Sequence, residues 1–235
     1  MKVLVACEES QTVCKAFRAP GFEAYSCDIQ EPSGGHPEWH ILGDAVEALM
    51  GGIVKTMDLQ LHEVGRWDLA ICHPPCTYLS NAGACRMYRW FNGKRWIDSD
   101  RYDKMIDGRE VFFKMFESNA DRIAVENPLP LKICKLPDPT QTIQPYEYGH
   151  PYSKRTQLWL VNLPELKPTN IVADHKPWLP SNTSAYAKGC GGWKGSIKGS
   201  KNYAKTFEGI AEAMAEQWGT YIMESEEDNG TDTQE

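Results

Sequence analysis

Short apolar runs of strand type recur along this chain, alternate with stretches of helical period, and break off at a cysteine or an acid. Lys2-Val3-Leu4-Val5-Ala6 stops at Cys7-Glu8-Glu9-Ser10 and leads into a helical stretch carrying Val13, Ala16 and Phe17, closed by Pro20-Gly21. Ala24-Tyr25-Ser26-Cys27 ends on Asp28, and His40-Ile41-Leu42 ends on Gly43-Asp44. Trp67-Asp68-Leu69-Ala70-Ile71-Cys72 is terminated by His73-Pro74-Pro75, just before Cys76. Arg122-Ile123-Ala124-Val125 ends at Glu126-Asn127-Pro128. A helix is predicted from about 103 to 119, a late strand over Gln157-Leu158-Trp159-Leu160-Val161, and a closing amphipathic helix on Phe207, Ile210, Ala211, Met214, Trp218 and Tyr221. This alternation predicts an α/β fold: a mostly parallel, Rossmann-like sheet with helices on both faces, whose ligands sit outside the carboxyl ends of the strands. Cys7, Asp28, Asp44, Cys76 and Glu126 all fall at such ends.

At 235 residues and 41% hydrophobic composition, one domain with a real core is expected. The apolar runs are far shorter than a bilayer span and no signal-peptide pattern opens the chain, so a soluble, cytoplasmic protein is expected, with no membrane partner. The eight cysteines are expected to be reduced, and no Cys-x-x-Cys pair invites a metal. A net charge of −7 confines any nucleic-acid contact to local patches. One patch interleaves Arg86, Arg89, Lys94 and Arg95 with Tyr88, Trp90, Phe91 and Trp96, inside a segment from 77 to 101 that reads as long and irregular. The other places Lys188, Lys194, Lys198, Lys201 and Lys205 on a glycine-rich stretch. From 224 to 235 the chain is acidic without Lys or Arg and is expected to be a disordered tail.

Pro74-Pro75-Cys76 and Glu126-Asn127-Pro128 together resemble the Pro-Cys and Glu-Asn signatures of the cytosine-C5 DNA methyltransferases, particularly the small divergent ones carried by bacteriophages. The resemblance extends in order through the first strand and turn, Asp28, Gly43-Asp44, Tyr148-Gly149, Ser153-Lys154-Arg155 and the closing helix. It implies a methyltransferase domain over 1–223 with a reduced target-recognition region around 165–205, S-adenosylmethionine as cofactor, double-stranded DNA as partner, and host-cell cytoplasm as location. It assigns Cys76 as the nucleophile that adds to C6 of cytosine and Glu126 as the acid at N3, its pKa raised by burial. Arg155 becomes an electrostatic aid to the thiol. Asp28 would hold the ribose and Asp44 the adenine amine, although Asp44 also suits a helix N-cap; Cys7, Glu8, Ser10 and Pro75 complete the expected cofactor contacts. The segment from 77 to 101 takes the place of the family's mobile catalytic loop, with Arg86, Arg89, Lys94 and Arg95 on DNA, joined by Lys194, Lys198 and Lys201.

The chain departs from that pattern in places. Ala6-Cys7-Glu8-Glu9-Ser10 stands where Phe-x-Gly-x-Gly is usual, Thr77 replaces the Gln after Pro-Cys, and Gln157 replaces a second arginine. Two other readings stay open on the sequence: a fold-conserving protein that binds cofactor or DNA without turnover, and a modifier of free cytosine nucleotides or single-stranded DNA.

Overall fold

The computed structural model describes residues 1–178 and 205–231. Its centre is a seven-stranded sheet formed by β1 (Lys2–Ala6), β2 (Glu23–Asp28), β3 (His40–Leu42), β6 (Leu69–Cys72), β9 (Ile123–Pro128), β10 (Gln141–Ile143) and β12 (Thr156–Val161). Two hairpins stand outside it, β4 (Gly52–Lys55) with β5 (Leu61–Gly65) and β7 (Tyr88–Phe91) with β8 (Lys94–Ile97); a small pair joins β11 (Tyr152–Ser153) to β13 (Lys176–Pro177). The sheet order is β10-β12-β9-β6-β1-β2-β3. β3, β2, β1, β6 and β9 run parallel, and β12 enters antiparallel between β9 and β10.

Strand alternation divides the core into two layers. Val3 and Val5 of β1 and Leu69 and Ile71 of β6 face one layer, built on helix α1 (Thr12–Arg18) and the closing helix α5 (Glu208–Thr231). Leu4, Ala6, Ala70 and Cys72 face the other, which contains the one-turn helix α2 (Ala45–Ala48) and the long helix α4 (Ser99–Phe116). A further single-turn helix, α3 (Ala84–Met87), precedes β7. The expected α/β sheet with helices on both faces is thus the fold of the chain.

Aromatic anchors fix the layers. Trp218 of α5 is fully buried and its Nε1 donates to the Pro164 carbonyl at 2.9 Å; Trp67 is fully buried and donates to the Ala48 carbonyl at 2.8 Å. Each ring so contributes a large apolar surface while satisfying its one polar atom. α5 continues through Thr231, so the acidic segment beginning at Glu224 is helical that far, contrary to the expected disordered tail. Once Trp218 and Ile222 pin the preceding turns, each added helical residue gains a hydrogen bond without a new nucleation cost.

Candidate active site at the strand ends

The strand order reverses between the parallel neighbours β1 and β6: the chain winds outward through β2 and β3, then returns to the other side of β1. At such a switch point two loops part and leave a crevice. The register pairs Val125 with Cys72, Cys72 with Ala6, and Ala6 with Cys27. Their successors, Glu126, His73, Cys7 and Asp28, therefore form one row across four strands, directly above the crevice.

The β1–α1 turn is built without the glycines that usually open such a turn. Cys7 adopts φ 60° and Gln11 φ 57°, the left-handed region, which is uncommon for residues with a side chain. Glu8 is 5% exposed and accepts from the backbone N–H of Val13 at 2.6 Å and of Cys14 at 3.1 Å, so it caps α1. Its carboxylate is held within the protein rather than turned outward as a ligand contact, and burial pushes its pKa up. The buried Gln11 donates to Ser26 Oγ at 3.1 Å and to the His36 carbonyl at 2.8 Å, and accepts from the His36 N–H at 3.0 Å. It thereby straps the 33–36 loop onto the turn. Gly34 is required there, since a Cβ would lie 2.6 Å from the Ser10 carbonyl oxygen. Ser10 is nearly buried, its Oγ 3.2 Å from Thr12 Oγ1.

Asp28 is 9% exposed at the end of β2 and accepts from the Gln30 N–H at 2.9 Å. Asp44 caps α2 by accepting from the Val46 N–H at 2.7 Å, and its side chain stays exposed. Burial, with the charges of Asp28 and Asp44, pushes the Cys7 thiol up to about 12. Three of the residues singled out in the sequence thus share one electrostatic environment. A cleft of about 60 Å³ beside them is lined by Cys7, Glu8, Ser10, His73, Lys205 and Thr206.

On the other side of the row, His73 Nδ1 lies 2.8 Å from Glu126 Oε2, with side-chain exposures of 14% and 11%. Burial alone would raise the Glu126 pKa, but the hydrogen bond and charge of His73, with Lys154, outweigh it and hold the carboxyl below its usual range. The expectation of a raised Glu126 pKa is corrected by this pairing. Burial opposes charge on His73, yet Glu126 and Glu8 raise its pKa above the usual value. Cys76, partly buried, has its thiol pushed up by burial and by the Glu126 charge, against the pull of Lys154. The cation acting on both Cys76 and Glu126 is therefore Lys154, whose Nζ sits 5.9 Å from the Phe207 ring, whereas its neighbour Arg155, to which the sequence reading gave that task, is exposed. Pro75 is exposed on the same turn.

His73 and Lys154 are the residues the sequence reading missed. The signal for His73 was register: once the runs ending at Cys72 and Val125 are taken as neighbours, the next residue of each must be adjacent.

The segment after Cys76 is hydrogen-bonded to its neighbours and forms regular elements. Asn81 N–H donates to the Leu129 carbonyl at 2.8 Å and Leu131 N–H to the Leu79 carbonyl at 2.7 Å, joining the loop after Cys76 to the loop after Glu126. Arg101 of α4 donates to the Thr77 carbonyl at 2.7 Å, with its guanidinium 4.9 Å from the Tyr78 ring. Beyond this anchor the chain forms the β7–β8 hairpin in place of the expected irregular stretch. Its Asn92-Gly93 turn has φ 49° and 73°, the combination that Asn-Gly favours, and this dipeptide was the sequence signal for it. Trp90, Phe91 and Trp96 are 71%, 69% and 58% exposed. Register pairs Trp90 with Arg95 and Phe91 with Lys94, so each face of the hairpin carries a cation beside an aromatic ring. Arg95 also stacks 4.6 Å from the Tyr88 ring, and Arg89 is ion-paired with Asp98. Arg86 lines a neighbouring cleft of about 490 Å³ with Arg89, Arg101 and Lys104. Lys194, Lys198 and Lys201 lie outside the described residues.

A concavity of about 670 Å³ between α1 and α5 is lined by no cysteine and by none of these residues. Among the described residues, the seven cysteines are free thiols, and no helix is long and apolar enough to cross a membrane.

Fold and site together define a doubly wound α/β protein with a thiol, an imidazole and carboxylates gathered at its switch point. No family model and no curated protein matches the sequence. Among solved structures, the chain is similar to a crystal structure described as a candidate DNA modification methyltransferase encoded within a prophage (E. coli), at 14% identity and a TM-score of 0.42. The alignment covers 73% of this chain, which spans about half, 52%, of that one.

Proposed function

We propose that this protein methylates C5 of cytosine in DNA through a covalent adduct on Cys76. The observation that carries the reading is the grouping at the switch point: Cys76 follows the end of β6, Glu126 lies at the end of β9, and the charge of one acts on the thiol of the other. Cytosine C5 is a weak nucleophile until a thiolate adds at C6, and a carboxyl group near N3 offsets the charge that this addition creates. Lys154 favours the thiolate of Cys76.

Asp28, Asp44 and Cys7 suit an adenosyl ligand: one carboxylate almost buried at the end of β2, a second exposed at the N-cap of α2, and a neutral thiol within reach of both charges. Ser10 and Glu8 line one cleft with Cys7, and Pro75, exposed just before Cys76, is a further candidate contact. S-adenosylmethionine, when bound there, supplies the electrophilic methyl group. The β7–β8 hairpin offers aromatic faces to unpaired bases and Lys94 and Arg95 to phosphates, with Arg86 exposed on α3 and Arg155 on the segment before β12. The exposed rings suit a base taken out of its stack, in a duplex or in a single strand.

The test is trapping with DNA that carries 5-fluorocytosine, since fluorine at C5 blocks release of the thiol. With S-adenosylmethionine present, a protein–DNA complex stable to denaturing electrophoresis is expected, lost in Cys76→Ser with S-adenosylhomocysteine affinity retained. Methyl transfer without any adduct points instead to an exocyclic amine as acceptor. Duplex, single strand and free dCTP run in parallel identify the substrate.

A further inference from the structure

We propose that His73 supplies the proton that Glu126 gives to the target ring, so that the two side chains work as one acid unit; the inference rests on the base-methylation reading above. The geometry is a 2.8 Å contact between His73 Nδ1 and Glu126 Oε2 at the ends of adjacent parallel strands, with Cys76 three residues along the chain from the histidine. A carboxylate held in this way has no proton of its own to offer. The imidazole beside it does.

Three further groups act on the pair. Glu8, from the turn after β1, and Glu126 favour the charged imidazole, Lys154 from the segment before β12 opposes it, and the Cys76 thiol faces Glu126. His73 Nε2 is buried without a hydrogen-bond partner among the described residues. A positive charge on the ring is offset by Glu126, in direct contact with Nδ1, and by Glu8.

As the Cys76 thiolate forms its bond to C6, the C5=C6 electron pair moves into C4=C5 and the C4=N3 pair onto N3. Glu126 Oε2 takes the proton from Nδ1 and passes it to N3, which leaves His73 neutral and Glu126 ionised. Once the C4=C5 pair has taken the methyl group at C5, the C4=N3 bond re-forms and the N3 proton returns to His73 by the same path; loss of the C5 proton to water then restores C5=C6 and expels the Cys76 thiolate.

His73→Asn separates this role from simple positioning, because the amide keeps an N–H donor near Nδ1 but cannot release a proton. Single-turnover methyl transfer and 5-fluorocytosine trapping near neutral pH, both at saturating S-adenosylmethionine, should fall about a hundredfold. The ratio of wild type to variant should shrink toward pH 5, where Glu126 gains its proton from water. A second readout needs no cofactor: nuclear magnetic resonance titration should place the His73 pKa above 6.5, its usual value, and lower it in Glu126→Gln. An active wild type matched by His73→Asn at every pH overturns the relay and leaves the methylation reading standing. A wild type that yields neither methylated base nor adduct overturns that reading and the relay with it, even with a high His73 pKa.

Discussion

The hairpin makes a quantitative prediction about DNA affinity, because its cations are not equivalent. Arg89 is neutralised by Asp98, and Arg101 is spent on the Thr77 carbonyl and the Tyr78 ring. Lys94 and Arg95 are exposed on β8 with no carboxylate among the described residues paired to either, so they are the ones available to displace counterions from phosphates. Each phosphate neutralised on a duplex contributes roughly 0.9 to the slope of log affinity against log salt. The double substitution Lys94→Ala, Arg95→Ala should therefore lower that slope by about 1.8. Between roughly 50 and 200 mM salt, the ratio of wild-type to variant affinity should shrink about twelvefold. Arg89→Ala should move the slope far less, since Asp98 already offsets its charge. Fluorescence anisotropy of labelled duplex at a series of salt concentrations measures all three proteins. Equal slopes for wild type and the double variant would refute the reasoning and make the hairpin a lid that never meets phosphates.

Two further outcomes are expected. Glu126, with a depressed pKa, contributes stability above the usual 4.5 that is lost as pH falls through its folded value; His73, with a raised pKa, contributes stability below the usual 6.5 that is lost as pH rises through its folded value. Thermal melts of Glu126→Ala against wild type should thus differ most between about pH 5 and 6.5, by about 3 kcal/mol or roughly 6–12 °C, and a pH-independent difference would deny the ion pair. Asp28→Ala should weaken S-adenosylhomocysteine binding by about 1.5–3 kcal/mol in calorimetric titration, and unchanged affinity removes that carboxylate from the ligand site.

Much of the sheet was legible because its strands are written as separate apolar runs. Lys2–Ala6 and His40–Leu42 lie where the runs predicted them, and Leu69–Cys72 and Ile123–Pro128 differ only at their boundaries. The reversed direction of β12 was not legible, since Gln157-Leu158-Trp159-Leu160-Val161 reads the same in either orientation; direction is fixed by the crossover through β10. The β4–β5 hairpin was missed because Ile53, Leu59 and Leu61 stay exposed and break the alternation that marks a half-buried strand. In the site, the chemical residue types were visible but their partners were not. Glu126 read alone is a buried acid with a raised pKa; beside His73 it is the ionised half of a pair. That difference depends on which strands are neighbours, a property of topology that no single segment encodes.

The cross-links between the loops after Cys76 and Glu126 carry a different consequence. Asn81 and Leu131 stitch those loops together ahead of the hairpin, and Asp98 and Arg101 close the hairpin's far end onto α4. The exposed part of the hairpin, Trp90 to Trp96, is consequently mounted on a fixed frame, since Met87 before it is buried in the core. Its charge and aromatic content can be rebuilt by design while the spacing of thiol and acid is kept.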